Sequence, residues 1–386
     1  SGGCPAQPGQ GKPVVAQAGS RRSRLCGVSV GLRDTEWMTV RMEVEPRLLE
    51  WAAERSGRDP DDLASRFPML EKWIGGEVLP TMKQLEDYGR ATYTPVGYFF
   101  LEEPPEEQLP VPDFRTLPHG VSDRPSPNLL DTIYLCEQRQ DWYRRLQAES
   151  RAETLDFVGS VTLGSDVVLT ASLIQQRINY GPEVRRQSVG WADAFAVFRD
   201  RVEEAGVLVM VSGVVGANTH RKLDPDEFRG FALVDPTAPV VFVNGADTRA
   251  AQIFTLAHEL VHVWLGQPAL SNQRLDLRET DGAVERWCNA VAGEFLVPVG
   301  ELNREFLPDA PLDEELQRLA RHFRVSTLVV LRRIFDAEYL TWDEYRARTN
   351  LPADGMASIT DPQSAFEANY WYPVVLVGDA PPVGSV

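Results

Sequence analysis

The chain has 386 residues, of which 43% are apolar, and a formal net charge of −17 at pH 7. This length predicts two or three domains with a sizeable core. The acidity disfavours non-specific attraction to nucleic acid or to an anionic membrane, and no apolar run reaches the ~18 residues of a membrane-spanning helix. The four cysteines are scattered without C-x-x-C pairing, which favours a reducing, cytoplasmic compartment over secretion; they are Cys4, Cys26, Cys136 and Cys288.

The amino-terminal part of the chain divides into a tail and a helical unit. Residues 1–37 are rich in Gly, Pro, Gln and Ser without periodicity, and we interpret them as a disordered tail, or as residues added by cloning or by an over-long gene assignment. Residues 38–103 predict a bundle of four or five short helices from their helical spacing of apolar side chains. Its predicted core is Leu48, Trp51, Ala52, Leu63, Ala64, Phe67, Leu70, Trp73, Leu85, Tyr88 and Tyr98.

This bundle is helix-turn-helix-like and resembles the Cro/repressor-type domain. The resemblance lies in Asp62-Leu63-Ala64, in Trp73 followed by Gly76 and Pro80, and in Leu85. A DNA reader presents basic and polar side chains on its second and third helices, whereas residues 43–101 carry seven basic and eleven acidic side chains. The composition favours a protein-docking or autoinhibitory role, with DNA binding as the alternative.

The middle of the chain predicts a scaffold of helices followed by strands. Residues 104–128 form a Pro-rich acidic linker, and helices are expected at 129–152, 169–178 and 190–205. Residues 206–215 predict a strand, and 229–234 and 239–243 predict a hairpin-like pair. We expect strand 239–243 to lie where a sheet edge aligns an extended substrate, although an ordinary core strand would have the same sequence.

The stretch from Thr248 to Gly266 contains the motif H-E-x-x-H within an apolar helical pattern. His258 and His262 lie one turn apart on such a helix, so that both imidazoles can reach one metal ion. A catalytic zinc ion uses three protein ligands and leaves one position open. The two histidines therefore need a third ligand on another element.

The next predicted helix, AVERWCNAVAGEFLVP, supplies that ligand after a polar loop at 267–282 that has room for a substrate-covering segment. We favour Glu285, because Asn289 four residues later can hold a ligand histidine through a hydrogen bond. Glu294 is the competing ligand, and Cys288 is interpreted as a buried small hydrophobe. The spacing H-E-x-x-H then E-x-x-x-N is typical of thermolysin-like sites, with Asn in place of the more usual Asp.

This residue set predicts peptide-bond hydrolysis. A zinc ion activates water and polarises the scissile carbonyl, while Glu259 is the candidate catalytic residue that transfers the proton to the leaving amine. His220, Tyr180 and Arg286 are unranked candidates for a further oxyanion donor. His119 and His322 have no motif around them and are interpreted as surface or packing residues.

The sequence resembles the ImmA/IrrE family of metallopeptidases, in the arrangement with a fused repressor-like domain. The resemblance is carried by RGFALVDPTAPVVFVNGADTRAAQIFTLAHELVHVWLG, by VERWCNAVAGEFLVP and by LARHFRVSTLVVLRRIFDAEYLT, where Val325-Ser326 caps a helix. It implies an α+β, mostly helical fold: a zincin-like minimal core at 129–305 with a small sheet against the H-E-x-x-H helix, a carboxyl-terminal helical unit at 306–348, and an irregular tail at 349–386.

The resemblance also implies a cytoplasmic endopeptidase with one Zn²⁺ per chain, acting in gene regulation or a stress response on a helix-turn-helix repressor or a related protein. The alternative is an antitoxin or transcriptional regulator that binds a PIN-like nuclease toxin or operator DNA, with proteolysis conditional or absent. The oligomeric state stays open, with a homodimer as one alternative.

Overall fold

The structure of the protein is a computed structural model that describes residues 40–107, 109, 125–271 and 282–349. In these ranges the chain forms fourteen α-helices, a four-stranded sheet and a two-stranded hairpin. The fold is therefore mostly helical with a small sheet, as the sequence predicts. Among the helices described, none is long and apolar enough to cross a membrane. The predicted tails at 1–37 and 349–386 lie outside the described residues, except for Thr349, which is the last residue of the final helix.

The amino-terminal unit is a compact helical bundle. It consists of α1 (Pro46–Ser56), α2 (Pro60–Arg66), α3 (Leu70–Ile74), α4 (Met82–Thr92) and a 3-10 turn at Val96–Phe100. Thr81 and Gln84 form a capping box that starts α4, which satisfies backbone donors at the helix start. Of the predicted core residues, Ala64 is exposed, and Phe99 rather than the half-buried Tyr98 is the buried aromatic of the last turn.

Four helices precede the sheet: α5 (Pro127–Ser150), α6 (Val167–Arg177), α7 (Pro182–Arg186) and α8 (Trp191–Glu204). The predicted helices at 129–152, 169–178 and 190–205 are confirmed. Helix α7 was not predicted, because five residues are too few to display a helical period.

The strands are β1 (Leu208–Ser212), β2 (Val214–Val215), β3 (Asn218–Lys222), β4 (Gly230–Leu233), β5 (Val240–Asn244) and β6 (Ala269–Ser271). The four-stranded sheet has the order β1-β5-β4-β6, while β2 and β3 pair separately. Strands β4 and β5 form the predicted antiparallel pair. The expectation of a substrate-aligning edge at 239–243 is wrong, because β5 is hydrogen-bonded to β1 on one side and to β4 on the other.

The two faces of the sheet carry different helices. Phe231 and Phe242 pack with the amino-terminal half of α5, whereas Ala232 and Val241 pack with α9 (Arg249–Leu265). Since successive side chains of a strand point to opposite faces, α5 and α9 lie on opposite sides of the sheet.

The carboxyl-terminal helices complete the core around α9. They are α10 (Gly282–Leu296), α11 (Val299–Glu305), α12 (Leu312–Phe323), α13 (Thr327–Asp336) and α14 (Trp342–Thr349). Ser326 caps α13 by accepting a hydrogen bond from the Val329 N–H, which confirms the predicted cap. Leu319, Val330 and Ile334 belong to the same core cluster as α9 and α10, so these helices share one core with the H-E-x-x-H helix.

Arginine side chains join the amino-terminal bundle to α5 and β3. The Arg55 Nε donates to both carboxylate oxygens of Glu107, at 2.8 and 2.7 Å, and the Arg55 Nη2 lies 3.9 Å from the Asp131 carboxylate of α5. Arg221 of β3 stacks over the Tyr93 ring at 4.6 Å and pairs with Asp131 of α5 at 2.7 Å. The bundle thus contacts the side of the sheet that carries α5, away from α9.

Candidate metal centre

Helix α9 is held at both ends and buried along most of its length. The Thr248 side chain accepts a hydrogen bond from Ala251 N–H at its start, and Gly266 closes the helix in the left-handed conformation. These are the residue types that favour the first and last turns of a helix. The sheet, α8 and α10 pack around α9, so polar side chains on this helix are enclosed in the protein core.

Three of the predicted ligands meet on the inner face of α9. The Nε2 atoms of His258 and His262 lie 3.1 Å apart. The Glu285 carboxylate of α10 reaches both, with Oε2 at 3.0 Å from His258 Nε2 and Oε1 at 3.1 Å from His262 Nε2. Both histidines are fully buried, and the three residues form a group whose ligand atoms all lie within 4.8 Å of one another.

The electrostatics of this group favour an ionised carboxylate. Burial alone would raise the pKa of Glu285, but the adjacent imidazoles of His258 and His262 hold it well below its usual range. Burial lowers the pKa of both histidines. At His258 the charge and hydrogen bond of Glu285, the Glu259 charge and the Asn289 hydrogen bond together outweigh burial and raise the pKa, whereas at His262 the net shift of the pKa is downward. A negative carboxylate beside two imidazoles is the combination that a divalent cation requires.

The donor set fits a zinc ion. Two imidazole nitrogens and one carboxylate oxygen are ligands that zinc accepts in three-ligand catalytic sites. Because all three converge in a buried position without an intervening apolar side chain, a cation can replace the direct contacts among them. The residues present therefore satisfy the requirements of a metal centre.

Helix α10 also contacts both imidazoles through other side chains. A side-chain hydrogen bond with Asn289 acts on His258 and raises its pKa, so the structure brings Asn289 together with a histidine of the motif, as the sequence predicts. The Cys288 Sγ lies 3.8 Å from His262 Nδ1, and the backbone of Gln267 also hydrogen-bonds His262. Cys288 is buried as predicted, but its sulfur also contacts His262, a candidate metal ligand. In the sequence, this contact is indicated by the position of Cys288, three residues after Glu285 on the same helix.

Glu259 is fully buried on α9 next to the ligands. Its side chain lies against β4, where a Cβ on Gly230 would be 3.1 Å from Glu259 Cγ. Sequence reasoning did not identify Gly230. The signal was a glycine at the start of the apolar run GFALV, since glycine inside a strand often marks a close approach of another element.

The other candidates lie away from this group. Glu294 forms a buried ion pair with Arg333 and accepts a hydrogen bond from Val299 N–H, so its carboxylate is occupied elsewhere. The Tyr180 hydroxyl donates to Ala194 O at 3.0 Å in the core.

Three more of the candidate residues lie in the described part of the chain: His220, His322 and Arg286. His220 is exposed on β3, on the α5 side of the molecule, and His322 contacts Arg186 and Glu301. Arg286 is half-buried on α10 beside Glu285, and His119 lies outside the described residues. His220 therefore does not fit the predicted oxyanion role, and His322 packs near the surface as the sequence predicts.

The geometry agrees with a comparison against protein families. Residues 202–335 match the IrrE N-terminal-like domain, Peptidase_M78. The matched segment contains β1 to β6, α9 and α10, and thus every member of the metal group. The match to the IrrE N-terminal-like domain supports a metallopeptidase of the ImmA/IrrE type. No curated protein matches the chain.

Proposed function

We propose that the chain is a zinc-dependent endopeptidase acting in gene regulation in the cytoplasm, on a helix-turn-helix repressor or a related regulatory protein. The observation that carries the proposal is the buried convergence of His258, His262 and Glu285 beside Glu259. The match of residues 202–335 to a peptidase family supports the same reaction class.

In this proposal His258, His262 and Glu285 hold one zinc ion. When bound, the ion supplies Lewis acidity, which makes water more acidic and polarises a carbonyl. The Glu259 carboxylate accepts a proton from the attacking water and delivers it to the nitrogen of the leaving amine. Burial of Glu259 keeps bulk water from this carboxylate, so that its proton passes to the substrate rather than to solvent.

Asn289, Cys288 and Gln267 orient the two imidazoles. Asn289 hydrogen-bonds His258, the Gln267 backbone hydrogen-bonds His262, and the Cys288 sulfur lies at His262 Nδ1, the ring nitrogen that does not contact Glu285; partners of metal-binding histidines commonly orient the rings in this way. We infer that Asn289 fixes His258, while the Gln267 backbone and the Cys288 sulfur fix His262. These contacts keep both Nε2 atoms directed at one position.

The position of the amino-terminal bundle favours a role in docking another protein over a role in inhibiting the metal centre. The bundle contacts α5 through Arg55, which lies 3.9 Å from Asp131, and β3 through Tyr93, whose ring stacks with Arg221, on the sheet face opposite α9. A bundle in that position leaves the α9 side of the sheet available to a protein substrate.

The second candidate is a regulator or antitoxin that binds a toxin or operator DNA. Exposed acids on α2 and α3 favour a basic protein over DNA, because phosphate groups are repelled by them; these acids are Asp61, Asp62 and Glu71, against exposed Arg66 and Lys72. In this candidate the bundle is helix-turn-helix-like in fold, but it recognises a protein.

Metal analysis of the purified full chain tests the proposal first, with one zinc ion per chain as the expected result. Glu259→Gln is then compared with the wild type in an extract of cells that lack the gene, by mass spectrometry of new protein amino termini. Glu314→Gln, at an exposed position of α12, is the control. New termini with wild type and with Glu314→Gln, but not with Glu259→Gln, support the peptidase; stoichiometric zinc with identical termini in all three samples favours the second candidate.

A further inference from the structure

The carboxyl-terminal half of α5 projects from the molecule. Eight of the ten residues 141–150 are exposed and the other two are half-buried. The core contacts of this helix come mainly from its first half, where Leu129, Ile133 and Cys136 are buried. Since helices in proteins are stabilised mainly by packing against other elements, this exposed half of α5 gains little stability from the rest of the chain.

This half of α5 carries a stripe of four exposed residues at the spacing of a helix–helix seam. The residues are Arg139, Trp142, Leu146 and Glu149, separated by three, four and three positions, so they lie along one face. Trp142 is 61% exposed and Leu146 43% exposed. Single exposed apolar side chains are ordinary, but here a tryptophan and a leucine adjoin on one face with opposite charges at its two ends.

The stripe is complementary to itself in one orientation. A two-fold axis at residue 144 pairs Trp142 with Leu146 of a second copy and Arg139 with Glu149 of that copy. A parallel pairing would instead place Arg139 against Arg139 and Glu149 against Glu149, which is repulsive. The Arg139 guanidinium donates to the neutral Met210 sulfur at 3.6 Å, and both Arg139 and Glu149 are exposed, so each charge can pair with an opposite charge on a partner.

We propose that the stripe Arg139–Trp142–Leu146–Glu149 docks onto the same stripe of a second copy of this chain, with the two α5 helices antiparallel. Such a contact is isologous, as in most soluble homodimers. It spans three helical turns and is smaller than the standard interface of about 800 Å² per partner, which gives a weak dimer with a dissociation constant on the order of 10–100 µM. The proposal is independent of the peptidase activity, since α5 lies on the sheet face opposite α9.

Sedimentation equilibrium of the full chain, at concentrations below and above that range, tests the proposal. Trp142→Asp is expected to abolish dimerisation, whereas Leu169→Asp, at a leucine of α6 that is 66% exposed, leaves it unchanged. Arg139→Glu and Glu149→Arg are each expected to weaken the dimer about ten-fold, because two-fold symmetry makes each substitution act twice. The Arg139→Glu/Glu149→Arg double variant restores the wild-type constant to within about three-fold, since the charge order is reversed but complementary.

Circular dichroism of each variant is the control that checks whether these substitutions at exposed positions leave the fold intact. A chain that stays monomeric throughout the range, or a dimer that Trp142→Asp does not weaken, overturns the proposal. A dimer that the single charge reversals weaken and the double reversal fails to restore overturns the antiparallel register.

Discussion

Gly230 and Glu259 approach each other so closely that no side chain fits between them: a Cβ on residue 230 would lie 3.1 Å from Glu259 Cγ. The same Cβ would be 2.5 Å from Thr255 Cγ2 and 2.8 Å from the carbonyl oxygen of Phe242. Strand β4 therefore acts as a flat support for α9 at the turn that carries Glu259. The absence of a side chain at residue 230 fixes how deeply this turn sits on the sheet.

Gly230→Ala is expected to lower the free energy of unfolding by about 1–3 kcal/mol, the usual cost of overpacking a core. The Phe242 carbonyl belongs to the sheet and cannot move aside, so α9 must move away from β4. Equilibrium denaturation of the full chain measures the loss.

Gly300→Ala is the matched control for this prediction. A Cβ at Gly300 has no atom within 4 Å, and alanine favours the helix in which it lies, so this variant should be as stable as the wild type or more stable. Equal stability of the Gly230→Ala and Gly300→Ala variants would show that β4 and α9 do not pack as closely as the distances indicate.

Chelation of the bound metal is expected to lower the melting temperature of the wild type. An ion that binds only the folded chain at a thousand times its dissociation constant adds about 4 kcal/mol to stability. His262→Ala removes one ligand from the group and should make the melting temperature insensitive to chelator. His220→Ala, at an exposed position of β3, should keep the response; a response that survives in His262→Ala would contradict the ligand assignment.

The local elements of this fold were predictable because their signals are local. The limits of α9, Arg249–Leu265, follow from Thr248 and Gly266 at its ends and from its apolar pattern. The spacing of His258 and His262 within it indicates two candidate ligands before any tertiary contact is considered. Glu285 was predictable too, because a third ligand must come from another element, and Glu285 lies near the start of the next helix with a hydrogen-bonding partner one turn later.

The parts that were not predictable depend on contacts between distant segments. The interior place of β5 results from its parallel pairing with β1, which no property of 239–243 reveals. Strand β3 was not predicted because Asn218–Lys222 is polar and mostly exposed, without the alternation of a half-buried strand. The supporting contact of Gly230 likewise appears only once β4 and α9 are placed together.

Arg55→Ala is expected to weaken the attachment of the amino-terminal bundle. The Arg55 side chain is 5% exposed, contacts both oxygens of Glu107 and lies 3.9 Å from the Asp131 carboxylate of α5. It also donates to the Tyr93 carbonyl at 2.8 Å. Its removal leaves the Glu107 carboxylate without this partner, which should cost about 1–3 kcal/mol. Amide hydrogen-exchange rates in α1 and α4, compared with the rates in α9, show whether the substitution destabilises the bundle in particular.

Arg90→Ala serves as the control for that experiment. Arg90 pairs with Asp87 at 3.3 Å on the bundle surface with its side chain 68% exposed, and such pairs change stability by less than about 0.5 kcal/mol on substitution. If Arg55→Ala accelerates exchange in α1 and α4 no more than Arg90→Ala does, the ionic contact does not hold the bundle.

Glu315 gives the fold a pH dependence outside the metal centre. Hydrogen bonds from Arg318 outweigh burial and, with a further bond from Leu307 N–H, hold the pKa of Glu315 below its usual range. A carboxyl group with a lowered pKa stabilises the folded state above the unfolded-state pKa of about 4.3, and this stabilisation is lost as the pH falls through the folded-state pKa. Glu315→Gln should thus cost about 1–3 kcal/mol at pH 7 and progressively less towards pH 3. A cost that stays constant between these pH values would mean that the ionised carboxylate is not the source of the stabilisation.

Glu285 and Glu294 are two buried carboxylates on one helix. Substitution by Gln should affect metal affinity at Glu285 and the free energy of unfolding at Glu294. Glu285 contacts His258 and His262 at 3.0 and 3.1 Å, so Glu285→Gln should lower metal affinity by at least about 100-fold, because the anionic ligand is lost. Glu294 is paired with Arg333, which also pairs with Asp336 at 3.3 Å. Glu294→Gln should retain one metal ion per chain while lowering the free energy of unfolding by about 1–3 kcal/mol, since a buried guanidinium loses one of its two carboxylate partners. Titration with zinc in the presence of a competing chelator, together with denaturation of the metal-free proteins, separates the two effects. Metal affinity that falls in Glu294→Gln but not in Glu285→Gln would assign the third ligand to Glu294 instead.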